Sequence, residues 1–482
     1  MRPFHPLFPV GVRGSCALWS HDCTSFPGTG FRLFSFVAAL IFVVSLASAQ
    51  QKPVALGGGK VLTVSHGSIE NGVVLFENGQ IAAVGPAGSV QIPKGARVID
   101  VAGMTVYPGL IDSETALGLT EISAVDMTND LVESSDEIMP HMHVYDAFHA
   151  ESELIPVTRL NGITNAIVAP ASRDTLPGQD SFIQLAGKSQ DEYLLIRDIA
   201  MPLNFTGEQR RNERGEGRKF PSTRMGLAAQ IRQAFLDAQD YAQKWSDYEK
   251  KKADYDKPTT DSVPAPDSSA KPADKDKGKK QPPNPPKRDL KLEALLPYLQ
   301  GKKPIVLAAE ESSDLQAAVS LAHEFNLKFI LNHISHSQSV LDYVASLKVP
   351  VIVGPIYEAP KSEERFDAVY SLPAQLYKRG VKIVIASYDS HNACNLPYAA
   401  GFATGFGLPY DEALKAITLN AAEVWGVADK LGSLDPGKTA NVVVSGGDPL
   451  DVKTAVKMVF INGNEIPMTS RQTRLRDEYS PH

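Results

Sequence analysis

The stretch Val106-Tyr107-Pro108-Gly109-Leu110-Ile111-Asp112 constrains the fold more than any other, because two kinds of structure meet in it. Pro108 cannot donate a ladder hydrogen bond and Gly109 permits a sharp bend, so the pair marks a crossing between units. Leu110-Ile111 then reads as a short buried strand that delivers Asp112, Ser113 and Glu114 to its C-terminal end. In a parallel barrel that end faces the active site, so this is where chemistry is expected.

Before the crossing the pattern is β. Lys60–Val64, Gly72–Glu77, Gln80–Val84, Ala96–Asp100 and Met104–Val106 read as strands, and Asn78-Gly79 is a type I′ hairpin signal between two of them. So small a sheet buries little and needs a partner. The other chain end supplies one: Ala440–Val444 and Val456–Ile461 read as strands, the second followed by a matching Asn462-Gly463. The two ends are expected to form a small β-sandwich with the middle of the chain inserted into it.

The middle alternates strand and helix. Asn165–Val168, Pro304–Leu307, Lys328–Leu331, Val349–Val353 and Val381–Ile385 are unalternating apolar runs, suited to strands buried on both faces of a parallel sheet. A helix capped by Ser312 or Ser313 carries Leu315, Val319, Ala322 and Phe325. Others run over Val340–Leu347 and from Pro409 through Leu414, Ile417 and Ala421 to Trp425. Leu227, Ile231, Phe235, Ala238, Ala242, Trp245 and Tyr248 recur at helical spacing, predicting a long amphipathic helix from about Thr223 to Lys251 packed on the barrel. Residues 254–287 hold eight prolines and an Asp/Lys alternation with almost nothing to bury, which reads as a disordered linker. The fold class expected is α/β, a (β/α)8 TIM barrel inserted into the sandwich.

Leu33–Leu46 is an apolar run preceded by Arg32 and followed by Ala47-Ser48-Ala49, which reads as a secretory signal peptide cleaved near Ala49; an uncleaved anchor is the alternative. The long segment ahead of it predicts a true start downstream of Met1. Export implies a secreted or periplasmic protein with no stable membrane span after cleavage. Cleavage also removes Cys16 and Cys23 and leaves Cys394 alone, so no internal disulfide is expected. The net charge of −7, slightly more negative after cleavage, argues against nucleic acid as a partner. The expected domains are therefore a signal peptide (1–49), the two sandwich halves (50–107 and 429–467), the barrel (108–428) and a tail (468–482).

These residues resemble the metal-dependent amidohydrolase superfamily, of the composite-domain, imidazolonepropionase-like type. The resemblance rests on Val106-x-Pro108-Gly109-Leu110-Ile111-Asp112, on Thr418-Leu419-Asn420-Ala421-Ala422 leading to Gly426, on Gly432–Val443, where Asn441 replaces a usual Asp, and on the closing Asn462-Gly463. It implies hydrolysis of a non-peptide C–N bond, such as a cyclic amide, with a divalent metal (Zn) that activates water while an Asp handles the proton. Carried onto this chain, the family's Asp-x-His-x-His falls on Asp112-Ser113-Glu114-Thr115-Ala116, so both histidines are missing. Ala308 stands where a His follows the fifth strand; His333 follows the sixth, and Asp389 lies after the eighth.

The resemblance thus leaves Asp389 and His333 as catalytic candidates, and Glu114, His333 and Asp389 as a sparse metal set. Asp112, Gln179, His391 and Asn395 are candidate ligand contacts. Gly178–Leu185 and Asn395–Tyr398 read as loops over the barrel mouth. His141-Met142-His143, with His149, reads as a solvated loop, and His336 as a loop residue near the mouth. Three readings stay open: a hydrolase of weakened or lost activity; a catalytically silent ligand-binding or subunit scaffold, as a homo-oligomer or beside a related amidohydrolase; and metal-free acid/base chemistry by Asp389 with His333 or His391. A small-molecule ligand is the expected partner.

Overall fold

The computed structural model describes residues 52–133, 135–205, 221–257, 281–335, 337–360 and 364–480. The signal segment with Cys16 and Cys23, the central part of the linker, and His336 lie outside the described residues.

Five strands precede the crossing: β1 (Val54–Leu62), β2 (Ser68–Glu77), β3 (Gln80–Pro86), β4 (Arg97–Asp100) and β5 (Thr105–Pro108). Eight follow it: β6 (Leu110–Thr115), β7 (Ile163–Val168), β8 (Asp180–Gln184), β9 (Leu194–Asn204), β10 (Ile305–Ala308), β11 (Phe329–Asn332), β12 (Val351–Val353) and β13 (Ile383–Ile385). Three close the chain: β14 (Val442–Ser445), β15 (Val456–Ile461) and β16 (Asn464–Glu465).

Strands from the two chain ends share one sheet in the order β16-β15-β14-β5-β1-β2-β3, with β4 also on β1. The join is β5 against β14, where Pro108 faces Val442. Irregular pairing at Gly57 and Gly59 lets β1 leave β4 for β5, so the sheet is continuous. Its core brings Leu56, Val74 and Phe76 from one end against Val442, Val444 and Phe460 from the other. Both Asn-Gly turns form with left-handed backbones, and they lie against each other: a Cβ on Gly79 would stand 3.2 Å from the Asn462 carbonyl oxygen.

The inserted strands form a nearly closed barrel in sequence order, β6 through β13. One residue from each strand (Ile111, Ile167, Phe182, Ala200, Val306, Ile330, Ile352 and Val384) joins a single apolar cluster, which is the barrel interior. Their neighbours in sequence pack outward with the helices. Ala421, Ala422, Trp425 and Leu431 join the interior cluster. Polar residues at the C-terminal ends of β6, β9 and β11 crowd the opposite end, the mouth.

The expectation of a uniform (β/α)8 alternation is corrected at the third strand. β8 runs antiparallel to both β7 and β9, while the other barrel pairs are parallel. The reason is chain length. The connection from β7 to β8 holds no helix and is too short for a crossover, and β8 turns into β9 through the four-residue helix Gln190–Tyr193. Gly178–Leu185, expected as a roofing loop, is therefore largely strand.

Other boundaries differ for local reasons. The helix at Ser312–Glu324 takes Glu311, not a serine, as its N-cap residue. The stretch from Pro409 to Trp425 is two helices, Tyr410–Ala416 and Leu419–Val424; Thr418 leaves helical geometry between them and its hydroxyl donates to the Leu414 carbonyl. Asn395–Tyr398 is a short 3-10 turn running into helix Leu396–Gly405. The long helix spans Arg224–Asp256, with the Thr223 hydroxyl accepting from the Gly226 N–H, and it extends into the start of the expected linker. It buries Leu227, Ile231, Phe235 and Ala238 of the predicted face, and Tyr241 beside them, while the expected Ala242, Trp245 and Tyr248 are half-buried.

Candidate functional site

The mouth is built from the ends of β6, β8, β11 and the turn after β13. Asp112 and Glu114 sit on β6, fully buried and nearly so. The Asp112 carboxylate accepts from the Ser387 N–H (3.0 Å) and hydroxyl (2.5 Å), which closes the barrel between its first and last strands. Burial nonetheless dominates and raises its pKa to about 7. Glu114 Oε2 accepts from Asn332 Nδ2 at 2.6 Å, and its backbone carbonyl accepts from the Tyr388 N–H at 2.9 Å. Burial lifts the Glu114 carboxyl to about 8, against that amide bond and with Asp112 adding to the rise. Asp180, first residue of β8, is 1% exposed; its Oδ1 has no hydrogen-bond partner, and burial pushes its carboxyl far above the usual range. All three are therefore neutral acids at pH 6, which is how uncompensated carboxyls persist in a dry interior.

His333 follows β11 in a left-handed conformation, held by its own N–H donating to Asn332 Oδ1 (2.8 Å). Its Nε2 lies 3.3 Å from Ser172 Oγ, and burial lowers its pKa to about 4, so the imidazole is neutral. Its ring packs on Tyr388 with centroids 4.9 Å apart. The Tyr388 hydroxyl donates to Asn332 Oδ1 at 2.5 Å. A chain of hydrogen bonds thus runs Tyr388–Asn332–Glu114 across the mouth.

Asp389 stands beside this chain but turns its carboxylate elsewhere. Partial burial would raise its pKa, yet bonds from Asn392 Nδ2 (2.8 Å) and the His391 and Asn392 N–H groups hold it below the usual range. Only its backbone carbonyl touches β6, accepting from Thr115 Oγ1. His391 is exposed and meets Ser390 Oγ, while Asn395 donates to Asn392. The Gln179 amide is taken up by Tyr298 O–H (2.8 Å) and the Pro140 carbonyl, tying helix Leu290–Leu299 to the barrel wall.

The loop histidines go to separate partners, correcting the solvated-loop expectation for His143: its Nδ1 meets Asp198 at 2.6 Å in a half-buried pair, and His149 meets Asp130. The fourth strand ends in Asn204, whose amide donates to the Asp174 carbonyl. A cavity of about 350 Å³ opens beside His333, lined by Ser172, Ile334, Val353, Ile356 and Glu358.

Sequence reasoning passed over Tyr388, Asn332, Ser387 and Asp180. Two of them, Asn332 and Tyr388, lie next to a residue chosen for family reasons. The one available signal was a bulky aromatic inside Ser387-Tyr388-Asp389-Ser390, just past an apolar strand.

A nearly closed barrel with a polar mouth, carried on a sheet of end strands, is the fold class that these residues define. A sequence profile of the amidohydrolase family matches residues 307–466. An amidohydrolase of Thermotoga maritima MSB8 is 26% identical, with a TM-score of 0.74 over 87% of this chain and 100% of that one. Amidohydrolase tasK of Hapsidospora irregularis is 24% identical over 81% of this chain and 39% of its own length. The chain therefore spans about two fifths of that curated relative. A molinate hydrolase shares the fold at 15% identity, with a TM-score of 0.51 over 87% and 95% of the two chains. These matches support membership of the amidohydrolase superfamily.

That family is generally metal-dependent. The donors in this mouth do not fit a catalytic zinc, which takes three protein ligands and a water. Positions 116 and 308 are alanine, Glu114 is bonded to Asn332, and the Asp389 carboxylate is filled by its own turn. Among the described residues, His333 alone remains of the nitrogen donors that the resemblance implies.

Proposed function

We propose that this chain is an exported amidohydrolase-family protein that binds a small molecule at the barrel mouth and in which hydrolysis of the family's non-peptide C–N bonds is lost or vestigial. The observation that carries the reading is the Tyr388–Asn332–Glu114 chain, in which Glu114, at one of the ligand positions that the resemblance implies, is tied to groups that satisfy one another. Amide hydrolysis needs an activated water and a polarised carbonyl. Neutral Asp112 and Glu114 and a neutral His333 supply neither charge nor a strong base near pH 6. Binding needs only a shaped cavity with a few polar groups, and the His333–Glu358 cavity offers both an apolar wall and carboxylate or hydroxyl edges.

The test is a panel of cyclic amides and N-acyl compounds, screened on the mature protein for turnover and, by ligand-observed NMR, for binding. Binding that weakens in His333→Ala, with no turnover above background, is the expected result. A kcat/KM approaching the ~10⁴ M⁻¹s⁻¹ of ordinary enzymes would overturn the reading.

A further inference from the structure

Tyr388 is the residue in the mouth that neither the family pattern nor ordinary packing accounts for. Its backbone is left-handed at φ 57°, a conformation unfavourable for an aromatic residue that persists only where the surroundings enforce it. Three contacts enforce it here: the N–H on Glu114 O, the hydroxyl on Asn332 Oδ1, and the ring on His333. A fourth observation comes from the neighbouring strand. Gly354, just past β12, has φ 145°, and a Cβ there would overlap the Ala386 carbonyl oxygen and lie 2.8 Å from the Tyr388 ring. The end of β12 therefore packs closely on both the end of β13 and the ring.

We propose that Tyr388 is a wedge built into the mouth in place of the family's cation. Its ring fills the space among the ends of β6, β11 and β12. Its hydroxyl holds Asn332 and its N–H holds the Glu114 strand end, so that the mouth is organised by hydrogen bonds without a cation. The mismatch between the family's metal chemistry and this donor set is thus a substitution of one organising centre by another. The inference rests on the mouth being a self-satisfied layer, as argued above, but its test does not depend on turnover.

Tyr388→Gly removes the ring and relieves the backbone strain, leaving a ring-shaped space that a small aromatic molecule can refill. The loss of a half-buried aromatic predicts a Tm lower by ~2–4 °C. Millimolar p-cresol, the side chain as a free molecule, should restore at least half of that shift. It should leave wild type and Tyr388→Phe, whose rings fill the site, unchanged. If Tyr388→Gly does not fold, its refolding yield with and without p-cresol reads the same cavity, and recovery of soluble protein supports the wedge. Equal p-cresol effects on all three proteins, a Tyr388→Gly variant as stable as wild type, or no recovery of yield would each overturn it. Turnover of an amide would instead refute the silent-barrel reading and leave the p-cresol result standing.

Discussion

Replacing Glu114 by Gln removes a titrating proton from the centre of the mouth and keeps the acceptor that Asn332 Nδ2 uses. In the folded protein burial raises Glu114 from 4.5 to about 8, so the native state holds its proton more tightly than the unfolded chain. The stability this contributes is complete below pH 4.5 and is lost as pH rises through 8. His333 behaves in the opposite sense: its pKa falls from 6.5 to about 4, so its contribution is lost on acidification between those values. Above pH 6.5 the imidazole is neutral in the folded state and at most half protonated in the unfolded chain, so its contribution fades. Asp112 stops contributing near pH 7, leaving Glu114 and Asp180 as the carboxyls in the mouth still protonated when folded and ionised when unfolded, and only the first is removed in Glu114→Gln.

One proton per molecule corresponds to about 1.4 kcal/mol per pH unit, or about 2 kcal/mol across this window. At roughly 1 °C per kcal/mol for a chain of this length, wild type should lose about 2 °C of Tm between pH 6.5 and 8 through Glu114. Glu114→Gln should lose that much less and be the more stable protein at pH 8. Differential scanning calorimetry at half-unit steps measures both curves. Parallel curves would mean that Glu114 is ionised in the folded state and that the picture of a neutral, hydrogen-bonded mouth is wrong.

Two further substitutions test how the scaffold presents the mouth. Gly79→Ala places a Cβ on a residue at φ 78° and 3.2 Å from the facing turn, so a loss of about 1–2 kcal/mol in urea unfolding is expected. A neutral result would show that the two turns do not need each other. Phe235→Ala empties the buried contact between the long helix and Phe325, whose ring lies 5.2 Å away, and should cost about 3–5 kcal/mol. Proteolysis that still spares the long helix would contradict its docking on the barrel.

Much of this architecture is written in the chain. Asn78-Gly79 and Asn462-Gly463 announce hairpins because both residues accept positive φ, and Pro108-Gly109 marks the passage from sheet to barrel. The apolar face of Arg224–Asp256 follows from its period. The reversal of β8 does not, because a strand buried on both faces carries no alternation that would reveal its direction. Thr418 reads as an ordinary helical residue until its hydroxyl turns back on Leu414. The mouth was legible only as a set of absences, Ala116 and Ala308 above all. What fills it depends on Tyr388 adopting a backbone conformation that no sequence pattern signals, and on Gly354, distant in sequence, packing closely on the ring.

Isothermal titration of the chelator-treated mature protein with zinc chloride tests the central claim most directly. A mouth organised by Tyr388, Asn332 and Glu114 predicts no stoichiometric site, and identical traces for wild type and His333→Ala. One equivalent of zinc bound with micromolar or tighter affinity, and lost in His333→Ala, would contradict the account.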